Sequence, residues 1–265
     1  MILPPLCGIL DQSEFFVYAA CDNDYFKDFG PTLINSVLQN TKFGIHLHLY
    51  NPTPEQIKYC RSIERVSITY EFVPLELFTT AANKWQTVPA DPELADRRRR
   101  IITAMSKSND TSIQQRIQRT YFASTRFIRL QQLVRPNTRA LAIDIDAVVR
   151  SPLPDLDNTR DFYIHYISGK KARYLAGGLY LTGNNNGYDF LKEYADVLKV
   201  NIESDNLYWG IDQDVLTNLV PKYHWSNLPI EYIDWEMQDQ SYIWTAKGTR
   251  KNLSIFINEQ KKYMS

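Results

Sequence analysis

Phe15-Phe-Val-Tyr-Ala-Ala-Cys21 runs straight into Asp22-Asn-Asp24, and then into a stretch that carries Phe29, Leu33, Ile34, Val37 and Leu38. The unbroken apolar run reads as a strand buried on both faces, the type found in parallel sheets. The aspartates break it, and the apolar residues beyond them recur at helical spacing. Further on, Ile45-His-Leu-His-Leu-Tyr50 alternates and reads as a second strand. Asn51-Pro-Thr-Pro54 turns the chain into a short helix around Ile57 to Ile63. Val66, Ile68, Tyr70 and Phe72 alternate with polar residues as a third strand. Strand, helix, strand, helix, strand is the pattern of an α/β sheet with crossover helices.

Residues 79–112 are polar and carry Arg97-Arg-Arg-Arg100, so they read as a loop with an exposed helix or mobile segment. The arginines form either a solvated helical face or a phosphate contact. A helix then runs from about Ser112 to Val134, and Pro136-Asn137 ends it. Leu141-Ala-Ile-Asp-Ile-Asp146 is a short apolar strand ending in two carboxylates. Tyr163 to Ile167 and Ala176 to Gly183 are further strands. Helices follow, marked by Phe190, Leu191, Tyr194, Val197 and Leu198, and by Ile211, Val215, Leu216 and Leu219. With no repeat and no linker, a single domain over residues 1–265 is expected.

The chain has 265 residues with 30 basic and 30 acidic side chains, and 44% of it is apolar, which suits a globular protein and excludes a disordered one. Balanced charge argues against nucleic acid and against an anionic membrane surface as partners. Cys7, Cys21 and Cys60 form no Cys-x-x-Cys pair, so neither a disulfide framework nor a structural zinc site is expected. Met1-Ile-Leu-Pro-Pro-Leu-Cys7 does not read as a signal peptide, and no run reaches the roughly 18 apolar residues of a membrane span. The expectation is a cytoplasmic protein.

Asp144 and Asp146 are the sharpest feature. Residues i and i+2 of an extended chain point to one side, and a strand end is where open α/β sheets bind ligands. Two adjacent carboxylates repel unless a cation or donors sit between them. Their hard oxygens suit Mn²⁺ or Mg²⁺ shared with substrate phosphates. Alternatively, they cap turns in a loop. Asp144-Ile-Asp-Ala-Val148 also fits the motif of haloacid-dehalogenase-like phosphatases, in which Asp144 would be a nucleophile.

Taken together and in order, Ala19 to Tyr25, Tyr121 to Arg126, Ala140 to Val149, Ala176 to Leu181 and Trp209 to Leu216 resemble motifs of the GT-A fold nucleotide-sugar-dependent glycosyltransferases, most nearly the glycogenin- and galactosyltransferase-like retaining enzymes. Ala19-Ala-Cys-Asp-Asn-Asp-Tyr25 resembles their first strand and base-cradling loop. Tyr121-Phe-Ala-Ser-Thr-Arg126 resembles their arginine-bearing helix, and Ala140 to Val149 their metal-binding strand. Ala176-Gly-Gly-Leu-Tyr-Leu181 is similar to their acceptor-side strand, and Trp209-Gly-Ile-Asp-Gln-Asp-Val-Leu216 to their Asp-Gln-Asp helix start. The resemblance spans about residues 16 to 220.

This resemblance implies an α/β fold with a Rossmann-like, mostly parallel central sheet flanked by helices. It implies a nucleotide-binding part over about 15–150, an acceptor-side part over 151–240 and a tail over 241–265. The activity it implies is metal-dependent transfer of a sugar from a nucleotide sugar, a uridine diphosphate sugar, to a glycan or small-molecule acceptor with retention. Asp144 and Asp146 would hold the metal, Mn²⁺ or Mg²⁺. Asp212, Gln213 and Arg126 would be catalytic. Ala19, Ala20, Asp22, Tyr25, Arg126, Asp144, Ile145, Gly177, Gly178, Gly248 and Lys251 would hold the donor. A non-catalytic sugar- or nucleotide-binding module is the other outcome such motifs allow.

The chain departs from the pattern in places. Thr245 stands where the family's His-x-x-Gly-x-x-Lys motif has its third metal ligand, while Gly248 and Lys251 keep their places. Ala176 replaces an asparagine beside the donor sugar. Arg129 competes with Arg126 for the arginine role, and Asp214 with Asp212 for that of a base. Lys247 joins Lys251 as a candidate phosphate contact, or both lie on a solvated face. His46 and His48 read as structural. Tyr232, Trp235, Tyr242 and Trp244 either stack on an acceptor sugar or pack the core.

Overall fold

The computed structural model describes residues 1–9, 14–87, 90–107, 110–169, 172–246 and 248–264. The elements, in order, are β1 (Cys7–Ile9), β2 (Phe15–Asp22), α1 (Asn23–Asn40), β3 (Gly44–Tyr50), α2 (Pro54–Arg61), β4 (Val66–Glu71), α3 (Glu76–Gln86), α4 (Pro92–Met105) and α5 (Ile113–Leu133). They continue as β5 (Arg139–Ile143), β6 (Ala147–Val149), β7 (Phe162–Ile167), β8 (Arg173–Thr182), α6 (Asn185–Glu203), α7 (Ile211–Leu219), β9 (Trp225–Asn227), β10 (Ile243–Thr245) and α8 (Ser254–Lys261). Among the described residues, no helix is long and apolar enough to cross a membrane.

One sheet runs β1-β4-β3-β2-β5-β8-β7-β9. β4, β3, β2 and β5 are mutually parallel, as the opening strand–helix–strand pattern requires. β8 then joins β5 in the antiparallel sense. The central strand β2 shows why both faces need cover. Phe15, Val17, Ala19 and Cys21 pack under α1 with Leu33, Ile34 and Val37. Phe16 and Tyr18 face the other way, onto a core shared with α3, α5, α6 and α7. Each large side chain so buried contributes roughly 1.5–3 kcal/mol.

Local signals set the element ends. Asp22 caps α1 by accepting from the Tyr25 amide at 2.9 Å. Thr53 and Gln56 form a capping box at the start of α2. Ser112 and Asn184 cap α5 and α6.

Three sequence expectations need correction. The 79–112 stretch is mostly helical, because Phe78, Ala81, Ala82 and Trp85 of α3 are fully or almost fully buried. The arginine run lies on α4 and is engaged rather than merely solvated. Arg98 donates to the Trp85 carbonyl at 2.7 Å and Arg100 pairs with Asp214 at 2.7 Å, while Arg97 lies over the Tyr208 ring. The strand read as Leu141 to Asp146 stops at Ile143. Asp144 to Asp146 form a turn closed by the Ala147 amide on the Asp144 carbonyl at 3.1 Å.

Candidate active site

Parallel β2 and β5 end at the same edge of the sheet, so the α1 start and the Asp144–Asp146 turn meet there. β3 and β4 lie on one side of β2 and β5 on the other, so the chain reverses its direction across the sheet between β2 and β5, the switch point where such sheets bind ligands. A cleft of about 340 Å³ opens at this edge. Arg126, Asp144, Asp146, Ala176, Gly177, Asp212, Gln213, Gly248 and Lys251 all line it. A larger groove of about 620 Å³ between α2 and the end of β4 holds no carboxylate and so lacks an acid–base pair.

The carboxylates are held by cations from distant elements. Arg126 of α5 donates to Asp144 Oδ1 at 2.6 Å and to the Ala176 carbonyl at 3.0 Å. Tyr18 of β2 fixes that helix turn through its hydroxyl on the Arg126 carbonyl at 2.8 Å. Arg129 is excluded from this role, because it pairs with the buried Glu71 and caps the Pro4 carbonyl. Lys251 Nζ lies 2.6 Å from Asp146 Oδ2 and 4.5 Å from the Tyr25 ring centroid. Tyr25 is thereby placed beside the cleft. Lys247 falls outside the described residues.

Electrostatics separate the acids. Asp144 is 47% exposed, open to a ligand, whereas Asp146 is 13% exposed. Burial pushes Asp146 up to about 6, opposed by Lys251 and reinforced by Asp144. Burial also raises Asp212, against the pull of Arg126. For Lys251, burial works downward, but Asp146 outweighs it and the ammonium is held charged. Asp212 enters the cleft at the start of α7, which follows Gly210 in the left-handed region at φ 92. Asp214 faces away into Arg100 and Tyr208, so it does not serve as a base here.

β8 completes the floor. Its register sets Ile143 opposite Gly178, so Gly177 sits against Asp144. A Cβ at Gly177 would stand 2.7 Å from Asp144 Oδ2. A Cβ at Gly178 would instead meet Ile233 and Leu228 in the core.

Not every expected residue reaches the cleft. Ala19 and Ile145 are buried in the core, Asp22 serves as a cap, and Ala20 is not among the lining residues. His46 and His48 are buried and bonded to Ser67 and Thr69, as their structural reading expects. Of the tail aromatics, Tyr232 and Trp244 are core, whereas Trp235 lines the cleft. Trp209, 39% exposed in the cleft wall, was not foreseen, since nothing in sequence separates it from a core tryptophan.

The donor set suits a divalent cation. No group of three histidine, cysteine or acidic side chains occurs among the described residues. Two carboxylates nevertheless suffice where substrate phosphates supply further oxygens. The Thr245 hydroxyl, buried in the same lining, makes no hydrogen bond among the described residues and leaves an oxygen to spare.

No family model matches the sequence, and no curated protein matches it. Solved structures do. The galactosyltransferase LgtC, in complex with donor and acceptor sugar analogues, aligns with TM-score 0.52 and 10% identity over 94% of this chain and 96% of that one. The apo bifunctional glycosyltransferase WbbM gives 0.53 and 13% over 96% of this chain and 50% of that one. The apo glycosyltransferase GlyE of Streptococcus pneumoniae gives 0.52 and 14% over 92% and 59%. At such identities the likeness is one of architecture: this chain has the GT-A type α/β fold of these glycosyltransferases.

Proposed function

We propose that the cleft transfers a sugar from a nucleotide sugar, a uridine diphosphate sugar, to a glycan or small-molecule acceptor, with retention. The observation that carries this reading is the meeting of Asp144, Asp146, Arg126, Lys251, Asp212 and Gln213 in one cleft at the switch edge of the sheet. Asp144 and Asp146 would hold Mn²⁺ or Mg²⁺, with Thr245 near them. Such an ion supplies Lewis-acid neutralisation of a departing diphosphate.

The protein's own groups account for the rest. Lys251 offers a second cation for diphosphate oxygens. Tyr25 flanks the nucleoside end. Arg126 orients Asp144 and shares the cleft with Asp212 and Gln213. These two offer oxygens to sugar hydroxyls and to positive charge developing at the anomeric carbon. Burial of Asp212 keeps bulk water from competing for it.

The phosphatase reading needs Asp144 as a nucleophile, yet one of its oxygens is committed to Arg126. The test is calorimetric titration with uridine diphosphate in the presence and absence of Mn²⁺. Binding that requires the ion and falls at least tenfold in Asp144→Asn and Asp146→Asn is expected. Undiminished binding in both variants would rule the reading out.

A further inference from the structure

Among the described residues, Trp209 belongs to none of the buried core clusters. It stands in the cleft wall at 39% exposure, three residues before the buried carboxylate of Asp212. Its ring is fixed from behind: the Arg116 guanidinium lies 4.3 Å from the ring centroid. Arg116 is itself locked. It pairs with the fully buried carboxylate of Asp110 and donates to the Ala104 carbonyl at 3.1 Å. Asp110 is further held by Arg119 at 2.9 Å. A half-exposed indole anchored in this way is ordered before any ligand arrives, so little conformational entropy remains to be lost on binding.

We propose that Trp209 is a stacking platform for a pyranose ring of the acceptor, which makes the acceptor a carbohydrate. The inference rests on the glycosyltransferase reading and adds the acceptor class to it. A pyranose offers one face of C–H bonds and a rim of hydroxyls. The aromatic face takes the first. Asp212 and Gln213, in the same lining, take hydrogen bonds from the second. Arg116, which is not among the cleft-lining residues, holds the indole in place through the ring quadrupole.

The experiment titrates the purified protein with methyl glycosides of the common hexoses and with disaccharides, following tryptophan emission. In parallel, calorimetry measures uridine diphosphate binding with Mn²⁺. At least one glycoside should change the emission saturably. Trp209→Ala should abolish that change and raise KM for the same acceptor about tenfold or more, with a smaller effect on kcat. Trp209→Phe should restore most of the affinity, which a merely structural role would not predict. Uridine diphosphate affinity should stay within twofold in both variants. If the glycoside binds equally well to Trp209→Ala, the platform is overturned. It is also overturned if uridine diphosphate binds and no glycoside does. Failure of uridine diphosphate to bind the unaltered protein would instead remove the glycosyltransferase reading, and this inference with it.

Discussion

Lys251 Nζ sits 2.6 Å from Asp146 Oδ2, so the C-terminal segment covers the oxygen that the proposed reading gives to a divalent cation. A cation entering here must compete with an ammonium already in place. Lys251→Met removes the competitor and leaves Asp146 buried without its partner. Mn²⁺ alone should therefore raise the melting temperature of Lys251→Met by more than it raises that of the unaltered protein. A tenfold gain in ion affinity corresponds to about 1.4 kcal/mol at saturating ion. Nucleoside diphosphate affinity should fall, because the phosphate contact is gone. Equal Mn²⁺ shifts in the two proteins would contradict the competition.

Gly177 and Gly178 are adjacent, but they face different neighbours, and their variants should separate binding from stability. A Cβ at Gly177 would lie 2.7 Å from Asp144 Oδ2, so Gly177→Ala must push that carboxylate off Arg126. Nucleotide binding with Mn²⁺ should drop at least tenfold with little change in the urea midpoint. A Cβ at Gly178 meets Ile233 Cδ1 at 2.7 Å and Leu228 Cδ2 at 3.0 Å. Gly178→Ala is thus an overpacking change, expected to cost about 1–3 kcal/mol while leaving binding intact. Calorimetry and urea unfolding on both variants decide the matter, and matching phenotypes would show that the two glycines are not separated in this way.

What could be read from sequence follows from the range of each signal. The β2–α1–β3–α2–β4 half was legible because periodicity is local and the core on both faces of β2 enforces it. Asp144 and Asp146 were legible because their spacing carries the chemistry, although they sit on a turn rather than on an extended strand. The helix α3 was missed although Phe78, Ala81, Ala82 and Trp85 recur at i, i+3, i+4 and i+7, because polar neighbours masked the stripe. β9 and β10 have no counterpart in the sequence reading because each is three residues long, too short for a period to show. The partners of the site were not legible at all. Nothing local says that Lys251 meets Asp146, or that Arg100 draws Asp214 away from the cleft.

Arg126 and Arg129 of α5 should behave oppositely. Arg129 pairs with Glu71 where both side chains are almost fully buried, and Tyr121 donates to the same carboxylate at 3.3 Å. Burial, the largest influence on Glu71, holds its pKa above the usual range despite Arg129. Arg129→Met leaves an uncompensated buried acid and should cost about 3–5 kcal/mol in urea unfolding. Nucleotide binding below the transition should persist. Arg126→Met should reverse the pattern, with activity lost and the urea midpoint less affected. If Arg129→Met abolished binding in a protein that remained folded, the assignment of roles would be wrong.

His46 provides the pH dependence. Its Nδ1 lies 2.7 Å from Ser67 Oγ and its Nε2 2.9 Å from Thr69 Oγ1, with the side chain fully buried. Burial lowers its pKa to about 3. It lowers His48 as well, helped by Arg129 and by His46. In the unfolded chain a histidine takes a proton near pH 6.5. Between that pH and about 3 the unfolded state therefore binds a proton that the native state refuses. The stabilising effect of a neutral His46 is complete above the unfolded pKa and is lost as pH falls below it. By pH 5 that amounts to about 2 kcal/mol from this side chain alone. Glu71, with its raised pKa, acts in the opposite sense: it favours the native state at acid pH and loses that contribution as pH rises. Urea midpoints at intervals from pH 7.5 to 5 should thus fall more steeply for the unaltered protein than for His46→Gln. The variant starts lower at pH 7.5, because its packing is imperfect, and the two curves converge toward pH 5. Parallel curves would mean that His46 accepts a proton inside the native core.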